Sequence, residues 1–328
     1  MRDISERTFV FAGSYSDSSD HGIQVYAMDE EHGRLTVADR ISGLTDPTFL
    51  NVNAPRFQLY AIAEGRSETG AKTGQVVTLS IDPNDGTLTE LSRSAPLDAT
   101  ICHLQRDATD RYMAVSSYDG GRIGLYAISD DGRVEQLLDV KRHEGVSVNP
   151  ARPHKSNPHS ASFSPDNAYI FVPDLGFDYI RAYTIDSTAQ CLRHHGDTHA
   201  EPAAGPRHMT FHPRQNYAYV IHEFNSTITS FRYDAKAGNL HRIQSVSTLP
   251  CDWNRKNRCA EIAVSKDGKY LYGSNRGHDS IVVYSIDSDT GALEWVEHVS
   301  SEGRHPRHFS ITPNGKFLLV ANRDTNNL

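Results

Sequence analysis

One unit of about 50 residues recurs along this chain, and that repeat limits the fold more than any other feature. Each copy runs as a short apolar strand, a polar turn of Pro, Asp, Asn or Gly, an aromatic-led second strand and a third strand ending in Asp or Ser. A Gly-x-Leu turn then leads into a fourth strand. Second strands are expected to begin at Tyr60, Tyr112, Tyr169, Tyr217, Tyr270 and Phe317, with an earlier one over Thr8 to Tyr15. Third strands recur as GIQVYAMD from Gly22, GQVVTLSID from Gly74, RIGLYAIS from Arg122, YIRAYTID from Tyr179, TITSFRYD from Thr227 and SIVVYSID from Ser280. Alternating apolar and polar residues rich in Val, Ile and Tyr favour strands, and Asp-Gly and Asn-Gly mark the turns. No useful length of chain carries a helical period.

Four antiparallel strands per unit, repeated radially, define an all-β, seven-bladed β-propeller, which leaves only short, protected sheet edges. Residues 1–328 are therefore expected to form a single propeller domain. The chain opens on a second strand, FVFAGSY, and stops after the second strand of its last unit. By this phase the C-terminal closing strands are expected to be absent, roughly 30 to 40 residues if the period holds, which implies a shortened chain or an unusual closure.

Composition removes several partner classes. A formal net charge of -8 argues against nucleic acid, whose phosphates require a basic surface. The N-terminus MRDISERTF lacks an apolar signal core, and no run is long enough to cross a membrane, so a soluble, cytoplasmic protein is expected; a monomer is expected as well. Cys102, Cys191, Cys251 and Cys259 fit no zinc spacing and read as free thiols; no metal and no cofactor are expected. Seventeen histidines are more than surface solvation explains.

In a propeller blade the start of the first strand and the end of the second meet beside the central channel. The strand-one starts supply His103, His159, Arg207 with His208, Glu261, and Arg307 with His308. The strand-two ends supply Tyr15, Glu64, Tyr118, Asp174, Glu223 with Asn225, and Asn275 with Arg276. Titratable groups gathered in one concave mouth form an active-site hypothesis. The competing reading for each residue is structural pairing between blades.

Arg207 and His208 follow Gly205-Pro206, a rigid turn that would aim both at the mouth, and Arg207 suits an anion clamp. A salt bridge from Arg207 to Glu223 is the alternative. Glu223 is a candidate base or the orienter of an imidazole, and His159 is a candidate base or a structural histidine. Arg276 and Arg307 add positive charge, so the ligand should be anionic. His194, His195 and His199 are assigned to a solvated outer loop, and His212 to a structural turn on the far face. Nucleophile-elbow, Walker, dinucleotide and His-Glu-x-x-His motifs are absent from the sequence.

The segments NPHSASFSPDNAYIFVPDLGFDYI from Asn157, GPRHMTFHPRQNYAYVIHEFNSTITSFRYD from Gly205, AEIAVSKDGKYLYGSNRGHDSIVVYSID from Ala260 and PRHFSITPNGKFLLVANRDTNNL from Pro306 resemble the propeller lactonase family. That family includes bacterial 6-phosphogluconolactonase and fungal carboxy-cis,cis-muconate cyclase. The resemblance implies a lactone hydrolase of the pentose phosphate pathway, with 6-phospho-D-glucono-1,5-lactone as substrate. It implies His159, Arg207, Glu223 and Arg276 as the active-site residues, and from their places at the mouth His208, Asn225, Arg307, His308 and Glu64 are expected around the substrate. Glu223 or His159 would activate water, and Arg207 with His208 would stabilise the oxyanion. Arg276 and Arg307 would hold the phosphate. A carboxymuconate-type lactonising cyclase is the alternative within enzymes, and a binding propeller without chemistry is the alternative outside them.

Overall fold

The computed structural model describes residues 8–145 and 155–328. Its strands form separate antiparallel meanders, and within each sheet every strand pairs with the next in sequence. The first sheet has three strands, β1 (Thr8–Gly13), β2 (Ile23–Asp29) and β3 (Arg34–Ile41). Four strands follow in the second, β4 (Leu50–Asn53), β5 (Gln58–Arg66), β6 (Lys72–Ile81) and β7 (Leu88–Arg93). The third holds β8 (His103–Arg106), β9 (Tyr112–Ser117), β10 (Arg122–Ile128) and β11 (Val134–Arg142).

The fourth holds β12 (Ser162–Phe163), β13 (Ile170–Asp174), β14 (Tyr179–Asp186) and β15 (Cys191–His199). The fifth is β16 (Pro206–Phe211), β17 (Tyr217–His222), β18 (Thr227–Asp234) and β19 (Asn239–Ser247). The sixth is β20 (Arg258–Val264), β21 (Tyr270–Arg276), β22 (Ser280–Ile286) and β23 (Leu293–Ser300), and the seventh is the pair β24 (Pro306–Ile311) and β25 (Leu318–Asn322). Four strands per unit thus hold in five sheets, while the first has three and the last two among the described residues. One expectation is corrected: His194, His195 and His199 lie on the strand β15, not in a loop. There His194 pairs with Asp197, and His195 bonds the Ala237 carbonyl.

The chain groups into two compact units, Met1–His143 with Asp186–Leu192, and Glu144–Ile185 with Arg193–Leu328. In the first, Ile23, Val25, Leu59, Val77 and Leu79 form one apolar core, and Tyr60, Val76, Leu104, Val115 and Tyr126 another. In the second, Phe171, Ile180, Val220 and Phe231 form one, and Tyr219, Ile221, Leu271, Val282 and Tyr284 the next. Within each unit these residues come from neighbouring sheets, so each of the four cores lies between two successive sheets. Burying one such side chain contributes about 1.5–3 kcal/mol.

In the second unit β13, β16, β20 and β24 pack side by side, each the first or second strand of its sheet. Three of the strand starts there are bulged. Arg207 is the extra residue between the pairs Pro206–His222 and His208–Ile221. Arg307 is the extra residue between Pro306–Asn322 and His308–Ala321. Ala260 and Glu261 fill the shift between Cys259–Asn275 and Ile262–Gly273. A bulge re-aims side chains locally, and these three place charged residues out of the regular alternation.

Candidate active site

Arg207, at the bulge of β16, is 2% exposed, a position that an unpaired guanidinium does not tolerate. Its Nε donates to Glu223 Oε2 at 3.2 Å, and its Nη1 to the Ala260 carbonyl at 2.7 Å. Glu223 directly follows β17 and is also buried. Arg276, the last residue of β21, places Nη2 at 2.8 Å from Glu223 Oε2 and also donates to the carbonyls of Arg258 and Cys259. Arg258 Nη1 donates to Glu223 Oε1 at 3.0 Å, from a side chain that is largely exposed. One carboxylate thus gathers three guanidinium groups. Burial alone would raise the Glu223 pKa, but Arg276 and Arg207 hold it down to about 2. Burial, with Arg276 and Arg307 nearby, lowers Arg207 to about 9, so it stays charged at neutral pH.

A second chain of contacts runs beside this cluster. His208 Nδ1 lies 3.2 Å from both Glu261 oxygens, and His208 Nε2 lies 3.2 Å from His159 Nδ1. The two imidazoles meet edge to face with centroids 5.1 Å apart. His308 Nε2 reaches Glu261 Oε2 at 3.2 Å from the more exposed side. Burial opposes ionisation of Glu261, yet His208 and His308 keep its pKa below the usual carboxylate range. Burial lowers His208 to about 4 against the pull of Glu261. Burial, then Arg207 and His208, place His159 well below its ordinary value.

These states assign the tautomers. An ionised carboxylate only accepts, so the neutral His208 donates from Nδ1 and accepts at Nε2. His159 then donates from Nδ1, which leaves the lone pair on its Nε2. The backbone fixes the same residue, because His159 N–H donates to the Pro173 carbonyl at 3.1 Å. Asp174 holds the loop ahead of it by accepting from Ser156 Oγ and from the Asn157 N–H.

Of the expected residues, His159, His208 and His308 fall in the imidazole chain, and Arg207, Glu223 and Arg276 in the guanidinium cluster. Arg307 is half-buried on β24, close enough for its charge to act on His159, Arg207 and Arg276. Asn225 is exposed and accepts from Thr227 Oγ1. Glu64 lies in the first unit, where it pairs with Lys72 Nζ at 2.7 Å. Two central residues are missing from the expected set. Glu261 was legible as a strand-one start, but nothing in the sequence shows that two imidazoles converge on it; Arg258 begins β20 and carried no signal.

Arg258, Arg276 and Asn225 also line a cleft of about 840 Å³, within the size range of small-molecule sites. No group of three or more His, Cys, Asp or Glu among the described residues could hold a metal ion. A buried carboxylate holding several guanidiniums, beside neutral imidazoles with an ordered lone pair, suits hydrolysis of an ester carbonyl in an anionic substrate.

That class agrees with the comparisons to known proteins. The model of the family described as "Lactonase, 7-bladed beta-propeller" matches residues 9–328. The chain belongs to this family of all-β propellers. It is 31% identical to the 6-phosphogluconolactonase of Bacillus subtilis, covering 97% of this chain and 89% of that relative. It is 30% identical to the 6-phosphogluconolactonase of Formosa agariphila, covering 97% and 90%. Among solved structures it superposes on a periplasmic gluconolactonase of Pseudomonas aeruginosa with a TM-score of 0.89 at 27% identity, covering 97% of this chain and 90% of that one.

Proposed function

We propose that this protein hydrolyses 6-phospho-D-glucono-1,5-lactone to 6-phosphogluconate, with the site built by His159, Arg207, Glu223 and Arg276. The observation that carries this reading is the convergence of Arg207, Arg258 and Arg276 on buried Glu223, next to the His159–His208–Glu261 chain. Two relatives at 30% identity or more bear the name of that activity. The seven sheets are taken as seven blades of one propeller domain, in line with the description of the family. A cytoplasmic setting fits the substrate and the four free thiols.

In this scheme His159 Nε2 takes a proton from water as the oxygen attacks the lactone carbonyl. The charge that His159 acquires is drawn through His208 towards Glu261. Arg207 and Arg307, whose charges both bear on His159, stabilise the oxyanion. Collapse of the tetrahedral intermediate breaks the ring C–O bond, and the proton on His159 passes to the leaving alkoxide. The products are one hydroxyl and one carboxylic acid, which releases its remaining proton to solvent and leaves as the carboxylate. Glu223 serves here as the anchor of the guanidiniums, because a carboxylate held down to about 2 by Arg276 and Arg207 against its burial is a weak base.

The pH profile of kcat/KM, corrected for spontaneous hydrolysis, tests the choice of base. Protonation of His159 removes the base, so activity is lost as pH falls, and the depressed pKa puts that limb well below 6.5. In Glu223→Gln the limb should stay and the rate should fall; in His159→Asn enzymatic turnover should vanish. A limb that disappears with Glu223→Gln alone would assign the base to Glu223.

A further inference from the structure

The cleft of about 840 Å³ is lined by more charge than the guanidinium cluster requires. Five cationic side chains, Arg255, Lys256, Arg258, Arg276 and Arg304, border it, against two carboxylates. Both carboxylates are already engaged. Asp279 Oδ1 accepts from the N–H groups of Gly277 and His305, and Asp324 pairs with Arg323 and His305. Arg258 and Arg276 are tied to Glu223, and Arg255 lies over the ring of Trp253 at 5.7 Å. Lys256 and Arg304 form no ion pair among the described residues. His305 adds no charge at neutral pH, since burial, with Arg276 and Arg323 nearby, lowers it to about 4. On a chain with a net charge of -8, this is a local reversal of sign.

We propose that this cleft seats the phosphate of the substrate, with Lys256 and Arg304 as the residues that grip the dianion and make the site prefer a phosphorylated lactone. The inference rests on the functional reading above and adds to it the residues that set specificity. Geometry supports it, because Arg258 and Arg276 line the cleft and also hold Glu223, so the cleft opens directly onto the guanidinium cluster. An ammonium and a guanidinium outside any ion pair can meet a phosphate without breaking an existing contact. Asn225, which also lines the cleft, adds a neutral polar group for a sugar hydroxyl.

The test compares hydrolysis of 6-phosphoglucono-1,5-lactone and of glucono-1,5-lactone by the native protein and by Lys256→Ala/Arg304→Ala. Both side chains are exposed, so the double variant should keep its melting temperature. For the phosphorylated lactone kcat/KM should fall by about tenfold or more, chiefly through KM, and for the other lactone it should stay within about twofold. Lys256→Arg/Arg304→Lys, which keeps both charges, should recover most of the loss. Equal losses on the two lactones, or no loss on the phosphorylated one, would overturn the proposal. If the native protein turns over neither lactone, the functional reading fails separately, and calorimetric titration with inorganic phosphate then decides the cleft. Phosphate binding weakened by about tenfold in the Ala double variant supports it, and equal or absent binding rejects it.

Discussion

Glu223 accepts from Arg207, Arg258 and Arg276, so its lone pairs serve to orient charge. Removing Arg207 leaves a buried carboxylate short of a partner and takes a cation from beside His159, two penalties in one substitution. Arg207→Ala should therefore lower kcat by about 10²–10³, as loss of an oxyanion-stabilising group does, and steady-state kinetics with a circular-dichroism check of folding measure it. Glu261 acts one step further away. In the proposed scheme it reaches the reacting atoms only through His208 and His159, which makes it a positioning residue. Glu261→Gln can donate to His208 Nδ1 and so permits the opposite tautomer, which turns the His159 lone pair inward. It should lower kcat by about tenfold or more with KM little changed, whereas damage confined to binding would appear in KM.

At the scale of elements, two blades share one device. Gly205-Pro206-Arg207-His208 and His305-Pro306-Arg307-His308 both begin with a left-handed residue, at φ 67° and 64°, and both put an arginine in a bulge. In each case an aspartate of the preceding sheet caps the turn, Asp178 on the Gly205 N–H and Asp279 on the His305 N–H. A Cβ on Gly205 would meet the Phe224 ring at 2.6 Å, so Gly205→Ala combines a clash with a strained φ. It should destabilise the protein by about 1–3 kcal/mol and lower activity by moving Arg207; a denaturant titration and the lactone assay check both. The strands themselves were legible because apolar alternation and aromatic starts reflect local chemistry: β9, β17 and β21 begin at Tyr112, Tyr217 and Tyr270, as the repeat predicts. The two-sided placement of Arg207 and Glu223 followed from the same phase. The Glu261 hub and the Arg258 contact were not legible, since both depend on bulge geometry and on side chains from different sheets.

For the molecule as a whole, buried ionisable groups make stability depend on pH. His208 and His222 are lowered to about 4 and about 3 by burial, so the folded state binds fewer protons than the unfolded state below about 6.5. Their contribution is complete above the unfolded value and is lost as pH falls towards the folded one, on the order of 3 kcal/mol for His208 and about 5 kcal/mol for His222. Glu223 adds a loss of the same sign below the ordinary glutamate value of about 4.5. The melting temperature should hold steady above pH 7 and drop between about 6.5 and 4, and His222→Asn should flatten that drop. In the proposed function, the imidazole chain and the guanidinium cluster together form one lactone-hydrolysing site. Its most direct test follows loss of 6-phospho-D-glucono-1,5-lactone at neutral pH with native protein, Arg207→Ala and buffer alone. The native protein should hydrolyse the lactone well above the spontaneous rate, and a folded Arg207→Ala should fall towards the buffer rate; a native rate equal to that of buffer, or a folded variant as active as the native protein, would contradict the proposed site.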